Sequence, residues 1–167
     1  LRLNGTLLVN GDTFTQANIN ARLLTYDHND AEMFADSFSF TVDDGSGTNT
    51  ASSFSISITP VNDNIPIITS NGGPADATLN IAENSTAVTI VTATDADLPT
   101  QTLTFSIVGG PDAAKFTIVS GSGVLSFAVA QNFESPADAN ADNVYEVIVA
   151  VSDGQGRTSQ QTIRVTM

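Results

Sequence analysis

The sequence predicts an all-β protein in which two β-sandwiches follow one another along the chain. Apolar and polar residues alternate with a period of two in many short segments, as they do in half-buried strands. Glycine-containing turns separate these segments. One stretch of sequence also recurs at an interval of 109 residues, from Asp44 to Asp153. Hydrophobic residues make up 41% of the 167-residue chain, which is enough for a packed core.

The secondary-structure signals run in order along the chain, and nearly all of them are strand signals. Residues 15–20 are the one segment predicted to form a helical turn, with Thr15 as its N-cap. Turns are predicted where glycine follows a short polar residue, as at Asn4-Gly5 and Asp153-Gly154. The apolar positions that predict strands are Phe38, Phe40 and Val42; Phe54, Ile56 and Ile58; residues 88–94; Leu103, Phe105 and Ile107; Leu125, Phe127 and Val129; and Tyr145, Val147, Val149 and Val151.

The internal repeat sets the predicted domain boundaries. Residues 39–58 match residues 148–167, and so long a period corresponds to a whole sandwich rather than to a solenoid unit. We therefore predict the C-terminal part of one sandwich at residues 1–59, a linker at 60–66 and a second sandwich at 67–167. By this register the first sandwich is incomplete, and the chain, which begins at Leu1 and not at Met, is expected to be a fragment of a longer polypeptide.

The charge balance excludes several functional classes. Five basic residues against 18 acidic ones give a formal net charge of −13. Binding to nucleic acid or to an anionic membrane needs clustered Lys and Arg, so neither partner is expected. With no cysteine, the chain has no disulfide and no Cys-ligated zinc. No apolar run is long enough for a membrane-spanning helix, so direct insertion into a membrane is not expected either.

Acidic and amide side chains cluster on both sides of the predicted linker. Asp95 and Asp97 follow a strand and, being two residues apart on an extended chain, point to the same side. Asp153 ends another strand, and residues 62–64 (Asn-Asp-Asn) lie in the linker. A hard cation such as Ca²⁺ takes six to eight oxygen ligands. Since no single segment supplies that many, the segments are predicted to converge at the domain junction.

Five short motifs stand out along the chain: Asn62-Asp63-Asn64-x-Pro66, Ile81-Ala82-Glu83-Asn84, Asp95-x-Asp97, Asn132-Phe133-Glu134 and Ala150-x-x-Asp153. They resemble the calcium-binding motifs of cadherin and of bacterial cadherin-like repeats. The resemblance covers residues 65–167 and implies immunoglobulin-like, Greek-key β-sandwiches. Residues 1–64 are similar to the C-terminal part of a cadherin-like repeat of the chondroitin sulfate proteoglycan type, and the segments that carry this similarity are residues 3–7, 14–19 and 23–26.

The resemblance also implies which residues bind calcium. One Ca²⁺ would be surrounded by Asn62, through its carbonyl, and by Asn64, Asp95, Asp97 and Asp153. Asp63 would bridge towards further ions. Glu83 and Glu134 match ligands at the opposite, outgoing end of the second sandwich. Pro60 and Asn132 stand where the family usually has Asp, so one ion is expected at the junction rather than the family's full set of three.

The function predicted from the sequence is that of a calcium-rigidified structural or adhesive repeat from a large bacterial cell-surface or extracellular protein, without enzymatic activity. Its expected partners are neighbouring repeats of the same polypeptide. The alternatives are a filament subunit assembled by strand complementation between identical subunits, and a homophilic or carbohydrate-binding module. A catalytic pair formed by Glu83 and Glu134 is also conceivable, as is a zinc site at His28, but no other residue supports either.

Overall fold

The computed structural model describes residues 1–29, 31–47, 49–73 and 76–167, and it divides into two compact units, Leu1–Glu32 and Met33–Met167. Strands make up most of the regular secondary structure, so the predicted all-β class is confirmed. Within the described ranges, no helix has the length and apolar character needed to cross a membrane.

The first unit contains a small antiparallel sheet and one short helix. Its sheet has the order β2-β1-β3. Asn4 and Gly5 both have positive φ, which suits the tight turn between β1 and β2. The helix α1 is capped as predicted, because the Thr15 side chain accepts a hydrogen bond from the Asn18 amide. The elements are β1 (Arg2–Leu3), β2 (Thr6–Leu7), α1 (Gln16–Asn20) and β3 (Leu24–Thr25).

The second unit begins with a long hairpin of β4 (Ala35–Asp43) and β5 (Asn49–Ser57), which pair antiparallel along their whole length. Residues that face one another across the two strands lie on the same side, so the register collects the apolar residues on one face. Phe38 stacks on Phe54 with ring centroids 5.5 Å apart. Ser and Thr dominate the opposite face, which accounts for the period of two in this part of the sequence.

A β-sandwich follows the hairpin in the same unit. One sheet has the strand order β10-β13-β14-β7, the second has the order β11-β12-β8, and β6 pairs with β9. The pairing of β14 with β7 is parallel, and all other pairs are antiparallel. The strands are β6 (Ile67–Ile68), β7 (Ala77–Asn80), β8 (Ala87–Ile90), β9 (Ala93–Thr94), β10 (Thr104–Gly109), β11 (Phe116–Ile118), β12 (Val124–Phe127), β13 (Val144–Ser152) and β14 (Thr158–Thr166).

The core lies between the two sheets of the sandwich. Alternate residues of β13 and β14 point inward and are fully buried, as their period of two predicts. Phe127 packs against both Phe116 and Tyr145, with ring centroids 4.6 and 5.2 Å away. The apolar inward residues of these two strands are Tyr145, Val147, Val149, Val151, Ile163 and Val165.

The structure differs from the predicted strands at two places. Residues 88–94 form two strands instead of one, because β8 pairs with β12 whereas β9 pairs with β6, and the chain changes sheet between them. The predicted strand through Val129 ends at Phe127, and Val129 is 70% exposed. Alternation of apolar and polar residues does not reveal either difference. The alternation continues through residues 88–94 although the strand changes its partner, and it continues to Val129 although the strand has ended.

Candidate functional site

The linker residues predicted to bind calcium lie against two aspartates of the sandwich. The Asn64 backbone amide donates to both carboxylate oxygens of Asp97 at 3.1 Å, and the Asn64 side-chain amide donates to Asp97 at 2.6 Å. The Asn62 side-chain amide donates to Asp153 Oδ2 at 2.9 Å. We call the six residues that meet here the junction cluster: Asn62, Asp63, Asn64, Asp95, Asp97 and Asp153.

Local backbone geometry positions the three aspartates of the sandwich. Asp95 follows β9, and its Oδ1 accepts the Asp97 amide at 3.0 Å, which directs the two neighbouring carboxylates to one region. Asp153 follows β13, and its Oδ1 accepts the amides of Gln155 at 2.7 Å and Arg157 at 3.1 Å. Asp95 and Asp153 therefore each order their own turn through Oδ1, whereas Asp153 Oδ2 and both oxygens of Asp97 accept hydrogen bonds from the linker.

The junction cluster presents buried oxygen atoms that lack a hydrogen bond. Asp97 is only 2% exposed and Asp153 only 4%. Asn62 Oδ1 and Asp95 Oδ2 are buried, and neither has a partner among the described atoms. Leaving a buried acceptor without a partner costs about 1–3 kcal/mol. Carboxylate, amide and carbonyl oxygens are the ligands that calcium takes, so the donor set fits this ion.

The two buried carboxylates are held in their ionised form. Burial, the largest single influence on Asp97, acts to raise its pKa, but the hydrogen bonds from Asn64 and Asp63 and the charge of Arg157 together lower it. Burial likewise acts to raise the pKa of Asp153, and the hydrogen bonds from Asn62 and from its own turn lower it overall. Both groups therefore carry negative charge at neutral pH, as cation ligands must.

Sequence reasoning missed one residue of this region. Arg157 follows the glycine-rich turn after Asp153, and its Nε donates to the carbonyl oxygen of Asn62 at 3.1 Å. That carbonyl is one of the predicted calcium ligands. A single arginine among glycine, serine and threonine forms no motif that would indicate a contact with the linker. The one feature of the sequence that could have indicated it is the spacing of four residues between Asp153 and Arg157.

Glu83 and Glu134 do not belong to the junction cluster. Glu83 follows β7, whose last residue pairs with Thr166 at the C-terminal end of β14. Asp153 lies near the opposite end, because it precedes the first residue of β14. A nine-residue strand at about 3.3 Å per residue separates the two ends by roughly 30 Å. Glu83 Oε2 accepts the Phe133 amide at 3.0 Å, which brings Glu83 to the residue next to Glu134.

Two further buried aspartates, which the sequence did not single out, have a structural role. Asp112 accepts the amides of Ala139 at 2.7 Å and Glu146 at 2.9 Å. Asp138 accepts the amides of Asp142 at 2.9 Å and Asn143 at 3.2 Å. Both oxygens of each carboxylate are thus satisfied by backbone donors, in contrast to Asp95.

Known families match both parts of the chain. The cadherin domain family matches residues 77–167, and a cadherin-like family matches residues 1–58. Cadherin-5 from Gallus gallus is 34% identical over 118 residues, which is 66% of this chain and 14% of that protein. The extracellular matrix organizing protein FRAS1 from Homo sapiens is 33% identical over 103 residues, or 59% of this chain and 2% of that protein. The chain thus spans a small part of either relative.

Solved structures match the fold across most of the chain. The protocadherin GammaB4 extracellular domain aligns with a TM-score of 0.59 at 23% identity, over 80% of this chain and 20% of that one. A protocadherin gammaB7 EC3-6 cis-dimer aligns with a TM-score of 0.60 at 22% identity, over 78% of this chain and 31% of that one. With a cadherin domain matched over residues 77–167, more than half of its length, the chain belongs to the cadherin family.

Proposed function

We propose that this chain is a calcium-rigidified repeat of a large extracellular protein, in which Ca²⁺ bound by the junction cluster fixes the linker against the second sandwich. Cadherin domains are adhesion modules without enzymatic activity, and their relatives are extracellular or cell-surface proteins. The observation that supports the proposal most directly is the pair of buried, unpartnered oxygens of Asn62 and Asp95 beside two buried carboxylates.

The proposed mechanism is electrostatic. The carboxylates of Asp95, Asp97 and Asp153 lie in partly dehydrated surroundings, where like charges repel one another more strongly than they do in water. Bound calcium supplies two positive charges that cancel this repulsion. The oxygens of Asn62 and Asn64 then hold the linker to the sandwich, and the residues on either side of the linker lose relative freedom. Extracellular calcium modules bind with dissociation constants of about 10⁻⁴–10⁻³ M, which suits a calcium-rich exterior.

The wider setting is part of the proposal. We place one cadherin-like unit of the proteoglycan type at residues 1–59, the calcium-binding linker at 60–66 and a cadherin-like sandwich at 67–167. Asp63 would extend the site towards further ions, and Glu83 and Glu134 would contribute to a site shared with a following repeat. The low content of basic residues and the absence of cysteine suit a secreted bacterial surface protein, whose neighbouring repeats would be the main partners.

A calcium titration followed by small-angle X-ray scattering tests this function. We expect the maximum dimension to become better defined and the melting temperature to rise as calcium increases from zero to 5 mM. Asp97→Asn should abolish both changes, because it removes the charge of the most buried ligand. Asp44→Asn is the matched control, since Asp44 occupies the equivalent turn of the internal repeat and is fully exposed. Profiles that chelator leaves unchanged would refute the proposal.

A second candidate function is assembly by strand complementation, and the β4–β5 hairpin favours it. Among the described residues these two strands pair only with each other, although the equivalent β13 and β14 are flanked by β10 and β7. Phe54, on the apolar face of the hairpin, remains 55% exposed. A free strand edge beside an apolar face is the surface to which an added strand binds. The added strand would come from an identical subunit.

Light scattering on the purified chain tests this second candidate. Assembly through the hairpin predicts mass that increases with protein concentration, and Phe54→Lys should return the protein to a monomer by placing a charge on the apolar face. Val129→Lys is the matched control, because Val129 is also apolar and is 70% exposed but lies outside the strands of the described residues. A strictly monomeric protein at millimolar concentration would eliminate this candidate.

A further inference from the structure

The outer edge of strand β4 presents a row of backbone groups along nine residues. β4 pairs with β5 residue for residue from Ala35 to Asp43, and among the described residues no strand lies on its other side. Just before the strand, the Ile58 amide donates to the Phe34 carbonyl at 2.9 Å. Because backbone groups of an antiparallel pair alternate in direction, the even-numbered residues of β4 bond to β5 and the odd-numbered residues face outward. The outward-facing residues are Ala35, Ser37, Ser39, Thr41 and Asp43.

This edge lacks the features that usually prevent strand pairing. Natural edge strands are protected by Lys, by Pro or by a β-bulge. Residues 35–43 contain no Lys, Arg or Pro, and the β4–β5 register is uninterrupted, although the β10–β13 and β12–β8 pairs each contain a shift. The Ser37 amide donates to the Asp36 carboxylate at 2.7 Å, an exposed contact that an incoming strand would replace. The β4 edge is therefore suited to bind another strand.

The internal repeat indicates the direction of the strand that fits this edge. Displaced by 109 residues along the sequence, β4 and β5 have the same bounds as β13 and β14. In the sandwich, β10 covers the outer edge of β13 in the antiparallel direction. A strand that bound β4 in the same way would run antiparallel to it.

A second copy of the chain supplies such a strand by symmetry. A two-fold axis perpendicular to a sheet makes two identical edge strands antiparallel and keeps equivalent side chains on the same face. An axis at Ser39 pairs all nine residues of β4, because it places Ala35 opposite Asp43 of the second copy. Phe38 then lies opposite Phe40 of the second copy, and this pair occurs twice. Aromatic pairs of this kind stabilise a sheet.

Strand β5 is less suited to the same arrangement. A two-fold axis at Ser53 would place Phe54 opposite Ser52 of the second copy, so no aromatic pair would form. The strand equivalent to β5 in the sandwich, β14, has a parallel neighbour, β7. A two-fold axis perpendicular to the sheet cannot produce a parallel pair. The β4 edge is thus the better surface for a second copy.

We infer that β4 is a self-association edge, which pairs antiparallel with β4 of a second copy about a two-fold axis at Ser39. This inference rests on strand complementation, the second candidate function, and specifies the added strand, its direction and its register. The product is a closed dimer with a four-stranded sheet of order β5-β4-β4-β5. An isolated two-stranded hairpin is marginally stable in water, whereas a sheet of three or more strands with an apolar face is not.

Disulfide trapping with the whole chain tests the pairing, because the chain has no cysteine of its own. Ser39→Cys places two thiols on directly opposite residues, with Cα atoms about 5.5 Å apart, a distance that a disulfide spans. With oxidised glutathione as the two-electron acceptor, we expect this variant to form covalent dimers at least about tenfold faster than Ser53→Cys. Ser53 is the matched control, since it is exposed and lies opposite Ser39 in the hairpin. In the dimer the two Ser53 residues would be roughly 14 Å apart, or three strand spacings.

A mixture of two variants tests the register. With the axis at Ser39, Ser37 lies opposite Thr41 of the second copy, and the two Ser37 residues are separated by four residues along the strand, roughly 14 Å. Neither Ser37→Cys nor Thr41→Cys should therefore cross-link by itself beyond the Ser53→Cys level. An equimolar mixture of these two variants should form the mixed disulfide dimer.

Light scattering on the parent chain separates this inference from strand complementation in general. Faster cross-linking of Ser39→Cys and of the mixture supports the inference, as does a mass that levels off at two subunits. If the parent chain associates but Ser39→Cys does not exceed Ser53→Cys, the inference is wrong and complementation through another edge stands. Cross-linking of Ser37→Cys by itself, or a mass that rises beyond two subunits, also overturns the inference. If the parent chain stays monomeric and no variant exceeds Ser53→Cys, both fail.

Discussion

At the scale of single residues, burial separates Asp153 from the equivalent acidic turn of the internal repeat. Asp44 and Asp153 occupy equivalent positions of the internal repeat, and each orders its own turn by accepting backbone amides. Asp44 is fully exposed, whereas Asp153 is buried and also accepts the side-chain amide of Asn62. Burial and the second contact, rather than the turn itself, make Asp153 a candidate ligand.

Replacing Asp153 with asparagine should weaken calcium binding by at least about tenfold, because the variant removes one negative charge from a buried donor set. The shape and the acceptor of the turn are retained, so the fold should survive. Calorimetric titration measures the effect, with Asp44→Asn as the control. Equal affinities for the parent and Asp153→Asn would remove Asp153 from the site.

The buried Asp138 should make the free energy of unfolding depend on pH in the acidic range. Burial acts to raise its pKa, but the amides of Asp142 and Asn143 lower it overall. A carboxylate whose folded pKa is depressed stabilises the protein above its unfolded pKa of about 3.9 and loses that contribution as pH falls through the folded value. Asp138→Asn should therefore cost about 1–2 kcal/mol at pH 7 and progressively less below pH 4.

Urea denaturation in chelator from pH 7 to pH 3 measures this effect without a contribution from calcium. The neighbouring Asp142→Asn is the control, because Asp142 is exposed. A cost of Asp138→Asn that stays constant over this range would contradict the assignment.

At the scale of elements, sequence patterns predicted the strands better than the points where the chain changes partner. The alternation through β13 and β14 correctly identified the buried residues, because a strand between solvent and core must alternate. Residues 88–94 were predicted as one strand because the alternation of apolar and polar residues does not depend on which sheet each half joins. Asp95 and Asp97 were found from their spacing, but Arg157 was missed because its role depends on a linker 95 residues away.

The corner between β8 and β9 provides a test of packing. Gly123 has a φ of +69°, and a Cβ atom there would collide with the Val91 carbonyl. Val91 is buried, and its amide donates to the Gly123 carbonyl at 2.8 Å, so neither backbone can move freely. Gly123→Ala should lower the free energy of unfolding by about 2–4 kcal/mol.

Gly121→Ala is the matched control for this corner, because no atom lies within 4 Å of its Cβ position and its φ is ordinary. Urea denaturation compares the two variants with the parent chain. If both substitutions cost the same, the close approach of Gly123 to Val91 does not limit stability.

At the scale of the whole molecule, calcium binding at the linker would explain both the net charge of −13 and the carboxylates of the junction cluster. An acidic chain remains soluble among many copies of itself, but carboxylates gathered at one linker oppose its ordering. Bound calcium would offset that local repulsion. The cadherin family supplies the fold, and the described residues supply a reason for an ion at this linker.

The most direct test is a crystal structure obtained in 5 mM CaCl₂ at high resolution. The account predicts strong density for one ion, coordinated at about 2.3–2.6 Å by oxygens of Asn62, Asp95, Asp97 and Asp153. Water alone between these side chains would contradict it.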